Sequence, residues 1–243
     1  ANEHVWSLLR EHVNASAPDA IVVAEEWNTG AYVTRGVVDT QTNYLVRMFA
    51  EAWFVPSGPF RLAPSQARAF WADASYRMRR SSMKAALTVL GSHDTDRIAS
   101  RTIPYNRAKA SGKLDRDFDD ASRNKPDFGA DYANDPPVPN PLHAALVAYH
   151  MAMIGSPVVY YGDEVGMWGA DDPTNRKPMV WPDTAKSQVE TRCVTSKTRY
   201  CDRLPEKVSV TPREDLRSLY RRLLAARRDS AALRVGGLDL DVS

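Results

Sequence analysis

The sequence predicts an α/β fold of the barrel type, with parallel strands covered by helices. Three observations carry this. Short apolar, β-branched runs alternate with helical periodicities along the 243 residues. The clearest run is apolar on both faces, as a strand sandwiched between helices must be. Polar and charged residues gather just after the strands, where the loops of a barrel carry its chemistry.

The elements follow in order. Residues 3 to 14 place Val5, Trp6, Leu8, Leu9 and Val13 at helical spacing, and Pro18-Asp19 breaks that helix. Ala20-Ile21-Val22-Val23-Ala24 is the doubly buried strand, and Val37-Val38-Asp39 is a weaker one. Ser65 is expected to N-cap a helix through Arg80, with Phe70, Trp71, Ala74 and Met78 on one side. Residues 85 to 92 form the next strand, which ends in GSHDTDRI. Residues 99 to 139 carry Pro104, Pro126, Pro136, Pro137 and Pro139 and read as a long functional or partly disordered loop. Asn140-Pro141 opens a nearly fully buried helix that Gly155 ends. Pro157 to Tyr161 is a strand running into Gly162-Asp163-Glu164. A last helix spans about Pro212 to Arg228, with Leu216, Leu219, Tyr220, Leu223 and Leu224 facing inward.

Composition narrows the function classes. The chain is 43% hydrophobic and 26% charged, with 32 basic and 30 acidic residues for a net charge of +2. That balance argues against nucleic acid or an anionic membrane as partner. No apolar run approaches the roughly 20 residues of a membrane span. Ala1-Asn2-Glu3-His4 is polar and lacks an initiator Met, so a chain cut from something longer is expected. Cys193 and Cys201 fit no zinc or redox spacing. They are either unrelated thiols or a loop-closing disulfide, which would favour a periplasmic or secreted location.

Four strand ends carry Glu25-Glu26-Trp27, Asp39, His93-Asp94 with Arg97, and Asp163-Glu164. Alternation along a strand groups Glu25 with Val23 and Trp27, and Glu26 with Val22 and Ala24. One Glu beside an aromatic ring, plus one Asp from another strand, is the equipment of glycoside hydrolysis. A neighbouring ring such as Trp27 favours the protonated form such an acid needs. By residue type alone, paired acids could equally hold Mg²⁺.

Longer motifs decide between these readings by resemblance. VVAEEWN resembles the general-acid segment of the α-amylase family, and GSHDTDRI resembles its His-Asp segment. GSPVVYYGDEVGM is similar to the family's last barrel strand and loop. DDPTNRKPMVW resembles the corresponding run of the neopullulanase, cyclomaltodextrinase and maltogenic-amylase branch. The resemblance runs from Ala1 to about Gly237 and implies a (β/α)8 TIM barrel represented by its second half, strands five to eight. Residues 1–237 are then the C-terminal half of the catalytic barrel, and 238–243 the start of a C-terminal β-domain.

The resemblance implies Glu25 as general acid/base and Asp94 as the transition-state carboxylate. It implies substrate contacts for His93 and Glu3, an aromatic platform past the cleavage point for Trp27, and subsites on the non-reducing side, away from the bond being cut, for Asp172 and Arg176. Ala24 stands where the family has Gly, and Glu26 where an apolar residue is usual; Glu26 is read as solvated. Arg97 and Glu164 are read as structural ion-pair partners. The family's nucleophilic Asp would lie just upstream of Ala1, so the chain alone is expected to be inactive, with the remaining half of the same enzyme as its partner.

The implied activity is retaining hydrolysis of α-glucosidic bonds in α-glucan oligosaccharides, polysaccharides or cyclodextrins. Transglycosylation or a non-catalytic partner domain are the alternatives. No cofactor is identifiable. The run Asp115, Asp117, Asp119, Asp120 lacks the Gly and Glu of a helix-loop-helix calcium site and reads as solvated loop; calcium is left open for the missing part. For Glu25 and Asp94 the bland alternative is a buried ion pair with Arg97, and for Asp172 and Arg176 a surface turn.

Overall fold

A computed structural model of the chain describes residues 2–27, 33, 35–55, 61–102, 141–167, 174–181 and 212–238. The expectations for Asp172, Cys193, Cys201, the Asp115–Asp120 run, the loop beyond residue 102, Asn140 and residues 239–243 lie outside the described residues.

Helix α1 (Asn2–Ser16) leads into strand β1 (Val23–Ala24), and β2 (Thr40–Asn43) leads directly into α2 (Leu45–Phe54). Helices α3 (Pro64–Arg77) and α4 (Arg80–Ala85) precede β3 (Leu87–Val89), which α5 (Ile98–Arg101) follows. Helix α6 (Pro141–Ala152) precedes β4 (Ser156–Val158), and α7 (Glu214–Asp229) and α8 (Ala231–Val235) come last. The strands pair in chain order, β1-β2-β3-β4, all parallel. Val23 aligns with Thr40, Thr42 with Leu87, and Leu87 with Ser156. Neighbouring parallel strands joined through helices are the repeating unit of a barrel wall, and they bring every strand's carboxyl end to one rim.

The core lies between the sheet and its helices. Val46, Phe49 and Ala50 of α2 meet Trp71 and Ala74 of α3, with Met78, Ala86, Leu90 and Leu146 around them. Phe49 is the hub, with ring centroids 5.1 Å from Trp71 and 5.8 Å from Tyr149. Arg227 of α7 is buried and donates to the carbonyls of Met151 (2.7 Å), Met153 (3.0 Å) and Gly155, serving one carbonyl of the last turn of α6 and two of the turn that follows it.

Several expectations need correction. The weaker strand is Thr40–Asn43, not Val37–Asp39. Asp39 sits at the amino end of β2, where its carboxylate accepts from Val22 N (2.7 Å) and pairs with Arg10. The N-cap of α3 is Ala63 rather than Ser65, because Pro64 takes the first helical position and Gln66 Oε1 accepts from Ala63 N at 2.8 Å. Ile21 and Val23 are exposed, so β1 is not covered on both faces by the described residues. On α7, Leu224 is exposed, while Leu216 and Tyr220 are buried and Leu219 and Leu223 pack half-buried beside Val147 and Met151.

Helix α2 carries an ionic ring into the core. Arg47 pairs with Glu51 one turn on (2.6 Å), Glu51 with Arg101, and Arg101 with Asp96 (3.4 Å), all nearly inaccessible. Arg47 also donates to the carbonyls of Leu90 and Asp96 (3.2 Å). It thus ties α2 to both ends of the turn after β3.

Candidate active site

The turn after β3 is built by short hydroxyl side chains. Ser92 N donates to Thr95 Oγ1 (2.9 Å), and Asp94 N donates to Ser92 Oγ (3.1 Å). These local bonds give the backbone an alternative to continuing the strand, and they push His93 and Asp94 out at the rim. Gly91 opens the turn because a Cβ there would collide with the Asp163 carboxylate.

Glu25 follows β1 directly and meets this turn. Ligand atoms of Glu25, His93 and Asp94 all lie within 4.8 Å of one another. The imidazole stands between the carboxylates, with Nε2 3.7 Å from Glu25 Oε1 and 3.5 Å from Asp94 Oδ2. Both are longer than an ordinary hydrogen bond. Glu25 is half exposed and Asp94 one third, so the cluster faces an approaching ligand.

Arg176, on a 3-10 turn at Thr174–Arg176, reaches the same cluster. Its Nη2 lies 3.2 Å from Asp94 Oδ1, and its Nε donates to His93 O at 3.0 Å. Asn175 beside it is fully buried and donates from Nδ2 to both His93 O (2.7 Å) and Thr95 O (3.0 Å).

Tyr44 is the site residue that sequence reasoning missed. Its hydroxyl lies 3.4 Å from Glu25 Oε1 and 3.2 Å from Ser92 Oγ, so one phenol links the β1 and β3 ends. Burial raises its pKa above the ordinary tyrosine value, against the Ser92 hydrogen bond; the charges of Glu25 and Asp94 raise it further. It stays a neutral donor. Trp27 stacks on it, ring centroids 3.8 Å apart. The signal available was position alone: Tyr44 directly follows the polar strand Thr40–Asn43.

The remaining candidates fall elsewhere. Glu26 stands outside the cluster, half-buried rather than fully solvated, its amide donating to Thr42 Oγ1 (3.0 Å). Glu3 is on α1, and its exposed carboxylate pairs with Arg35. Arg97 is buried and does form a structural ion pair, with Asp163 at 3.3 Å, while Glu164 instead accepts from Gly162 N at 2.7 Å. The Arg97 guanidinium also lies over the rings of Tyr160 (4.6 Å) and Tyr161 (4.9 Å). Arg97 is thereby committed away from Glu25 and Asp94. Complete burial pushes Asp163 up to about 7 despite that arginine.

As a cation site the cluster is poorly matched. Mg²⁺ prefers an all-oxygen octahedron, and here one of three donors is an imidazole while Arg176 already sets a positive charge against Asp94.

No family model matches the chain. Individual relatives do. A cyclomaltodextrinase from Thermoanaerobacter pseudethanolicus is 28% identical over 192 residues, which is 77% of this chain and 27% of that protein. Neopullulanase 2 from Thermoactinomyces vulgaris is 26% identical over 184 residues, 75% of this chain and 25% of that protein. Over most of its length the chain is thus similar to cyclomaltodextrinases and neopullulanases. A solved structure of the cyclic α-maltosyl-(1→6)-maltose hydrolase from Arthrobacter globiformis matches the fold with a TM-score of 0.64 at 22% identity, covering 98% of this chain and 41% of that one. The fold is therefore that of a partial (β/α)8 barrel, with four consecutive parallel strands among the described residues. The chain spans 27% and 25% of the length of those two curated relatives. No helix among the described residues is long and apolar enough to cross a membrane.

Proposed function

We propose that the complete enzyme containing this chain hydrolyses α-glucosidic bonds of α-glucan oligosaccharides with retention. In this reading Glu25 is the general acid/base and Asp94 the carboxylate that grips sugar hydroxyls in the transition state. The observation that carries it is the convergence of Glu25, His93 and Asp94 within 4.8 Å at the carboxyl ends of parallel strands. The kinship to cyclomaltodextrinases and neopullulanases supports the substrate class.

The chemistry follows from exposure and reach. Glu25 is half exposed, so its proton can be delivered to a glycosidic oxygen, while His93 and Arg176 flank Asp94 with donors for neutral hydroxyls. The Trp27–Tyr44 stack offers an aromatic surface beside Glu25 for a sugar ring. The covalent step requires a nucleophilic carboxylate about 5–5.5 Å from the acid, a role this reading gives to a part of the enzyme beyond this chain.

Two measurements test the proposal. Proton NMR of fresh maltooligosaccharide digests should show α-anomer as the first product; β-anomer first would refute retention. Glu25→Gln should lower kcat by about 10²–10⁴-fold, the ordinary worth of general acid catalysis, whereas Glu26→Gln should stay near wild type. A reversal of those two effects would overturn the assignment.

A further inference from the structure

Asp94 sits in a turn whose own bonds are few and local. Arg47 fastens the two ends of that turn from outside, and the amide of Asn175 fastens its middle. Its Nδ2 donates to His93 O (2.7 Å) and Thr95 O (3.0 Å), the carbonyls on either side of Asp94. The side chain is wholly buried, at 0% exposure, so water cannot replace these bonds when they are lost. The next residue, Arg176, donates to the same His93 carbonyl and lies against the Asp94 carboxylate. Two adjacent residues of one 3-10 turn thus grip the backbone and the side chain of one carboxylate-bearing turn.

We propose that Asn175 is a positioning residue, which clips the backbone around Asp94 and fixes where its carboxylate stands relative to Glu25. The proposal rests on the hydrolase reading given above for the meaning of that placement. The hydrogen bonds of its side-chain amide go to main-chain oxygens. Its contribution is geometric. Burying an amide with its Oδ1 left unpartnered costs free energy. The residue is therefore better explained by what it orients than by stability.

The test uses the complete enzyme carrying Asn175→Ala and, separately, Asn175→Asp, which keeps the volume and removes the double donor. Amide hydrogen exchange should quicken about tenfold across Ser92–Asp96, without change in the core helices, since only a local opening is released. On maltooligosaccharides kcat should fall about 10- to 100-fold, because an ångström of misplacement at a reacting centre can cost that much. KM should change by less than about threefold, the signature of an interaction realised in the transition state. Unchanged exchange in both variants would overturn the clip whatever the substrate. Faster exchange with kcat within about twofold of wild type would reduce Asn175 to a structural residue and overturn the positioning role. A wild-type enzyme inactive on α-glucans would instead sink the hydrolase reading, and exchange would still decide the clip.

Discussion

The Arg176 guanidinium lies 3.2 Å from the Asp94 carboxylate, and its Nε holds the carbonyl of His93. The motif resemblance places this arginine in subsites away from the bond being cut. The structure instead sets it against the residue proposed to grip the sugar at the cleavage point. Arg176→Ala should therefore lower kcat/KM by roughly tenfold, the worth of one charge-assisted contact, on short and long oligosaccharides alike. A loss confined to long substrates, in kinetics over a chain-length series, would restore the distant-subsite role.

Tyr44 joins two strand ends through a single hydroxyl, 3.4 Å from Glu25 and 3.2 Å from Ser92. Tyr44→Phe keeps the ring under Trp27 and removes only that donor. It should lower kcat about tenfold while leaving the thermal midpoint within a few degrees, since a net hydrogen bond is worth about 1 kcal/mol. Tyr44→Ala should in addition weaken binding, because Trp27 loses its stacking partner. Equal kinetics for the Phe variant and wild type would remove Tyr44 from the site.

Much of this site was legible because alternation along a strand separates Glu25 from Glu26, and a His-Asp pair closing an apolar run has few structural uses. The structural ion pairing of Arg97 was legible too, and its partner is Asp163. What stayed hidden follows one physical rule: buried polar groups erase the patterns that periodicity reads. Strand β2 is Thr-Gln-Thr-Asn, with no apolar residue, so the eye settles on Val37-Val38 beside it. Helix α2 hides likewise, since Arg47 and Glu51 break its apolar surface yet both are buried against each other. Asn175 and Tyr44 act through bonds to distant chain segments, which no local pattern encodes.

The ionic ring on α2 makes its own prediction. Arg47→Met strips Glu51 of one partner and leaves the Leu90 and Asp96 carbonyls unserved, all in a dry environment. Breaking a buried pair from one side costs about 3–5 kcal/mol. Arg47→Met with Glu51→Leu should recover a large part of that, because neither charge is then left behind. Chemical denaturation of the complete enzyme reads both, and a single variant as stable as wild type would show the ring to be dispensable.

Stability should also depend on acid through His143 and His150, both buried and both lowered to about 4 by that burial. An unfolded histidine titrates near 6.5, so between pH 6.5 and about 4 the unfolded chain binds protons that the native fold refuses. Their contribution is complete above pH 6.5 and is lost as pH falls toward 4. Asp163 runs the other way: with its carboxyl pushed up to about 7, the native state holds a proton that the unfolded chain releases above pH 4. Two histidines outweigh one aspartate over the shared window. The denaturant midpoint should thus rise from pH 4.5 to 6.5, and His150→Asn should flatten that rise. A midpoint falling with pH over this range would contradict the sign.

The last prediction concerns residues 1–243 expressed alone. Helix α1 and strand β1 leave Val5, Trp6, Leu8, Leu9, Ile21 and Val23 between 40% and 69% exposed, although α1 has the periodicity of a helix that packs on something. Grouped exposed side chains of this size mark a surface that another element covers. In a closed barrel the elements beside this first strand would be that cover. The isolated chain should accordingly bind a dye that reports apolar surface and associate as its concentration rises. It should also fail to cleave maltooligosaccharides. Among the described residues the cluster brings together two carboxylates, Glu25 and Asp94; the proposed roles use both, and the covalent intermediate needs a third. Adding the rest of the barrel as a separate polypeptide should suppress dye binding and restore activity together. A dye-silent monomer that hydrolyses maltooligosaccharides by itself would overturn the argument on both counts.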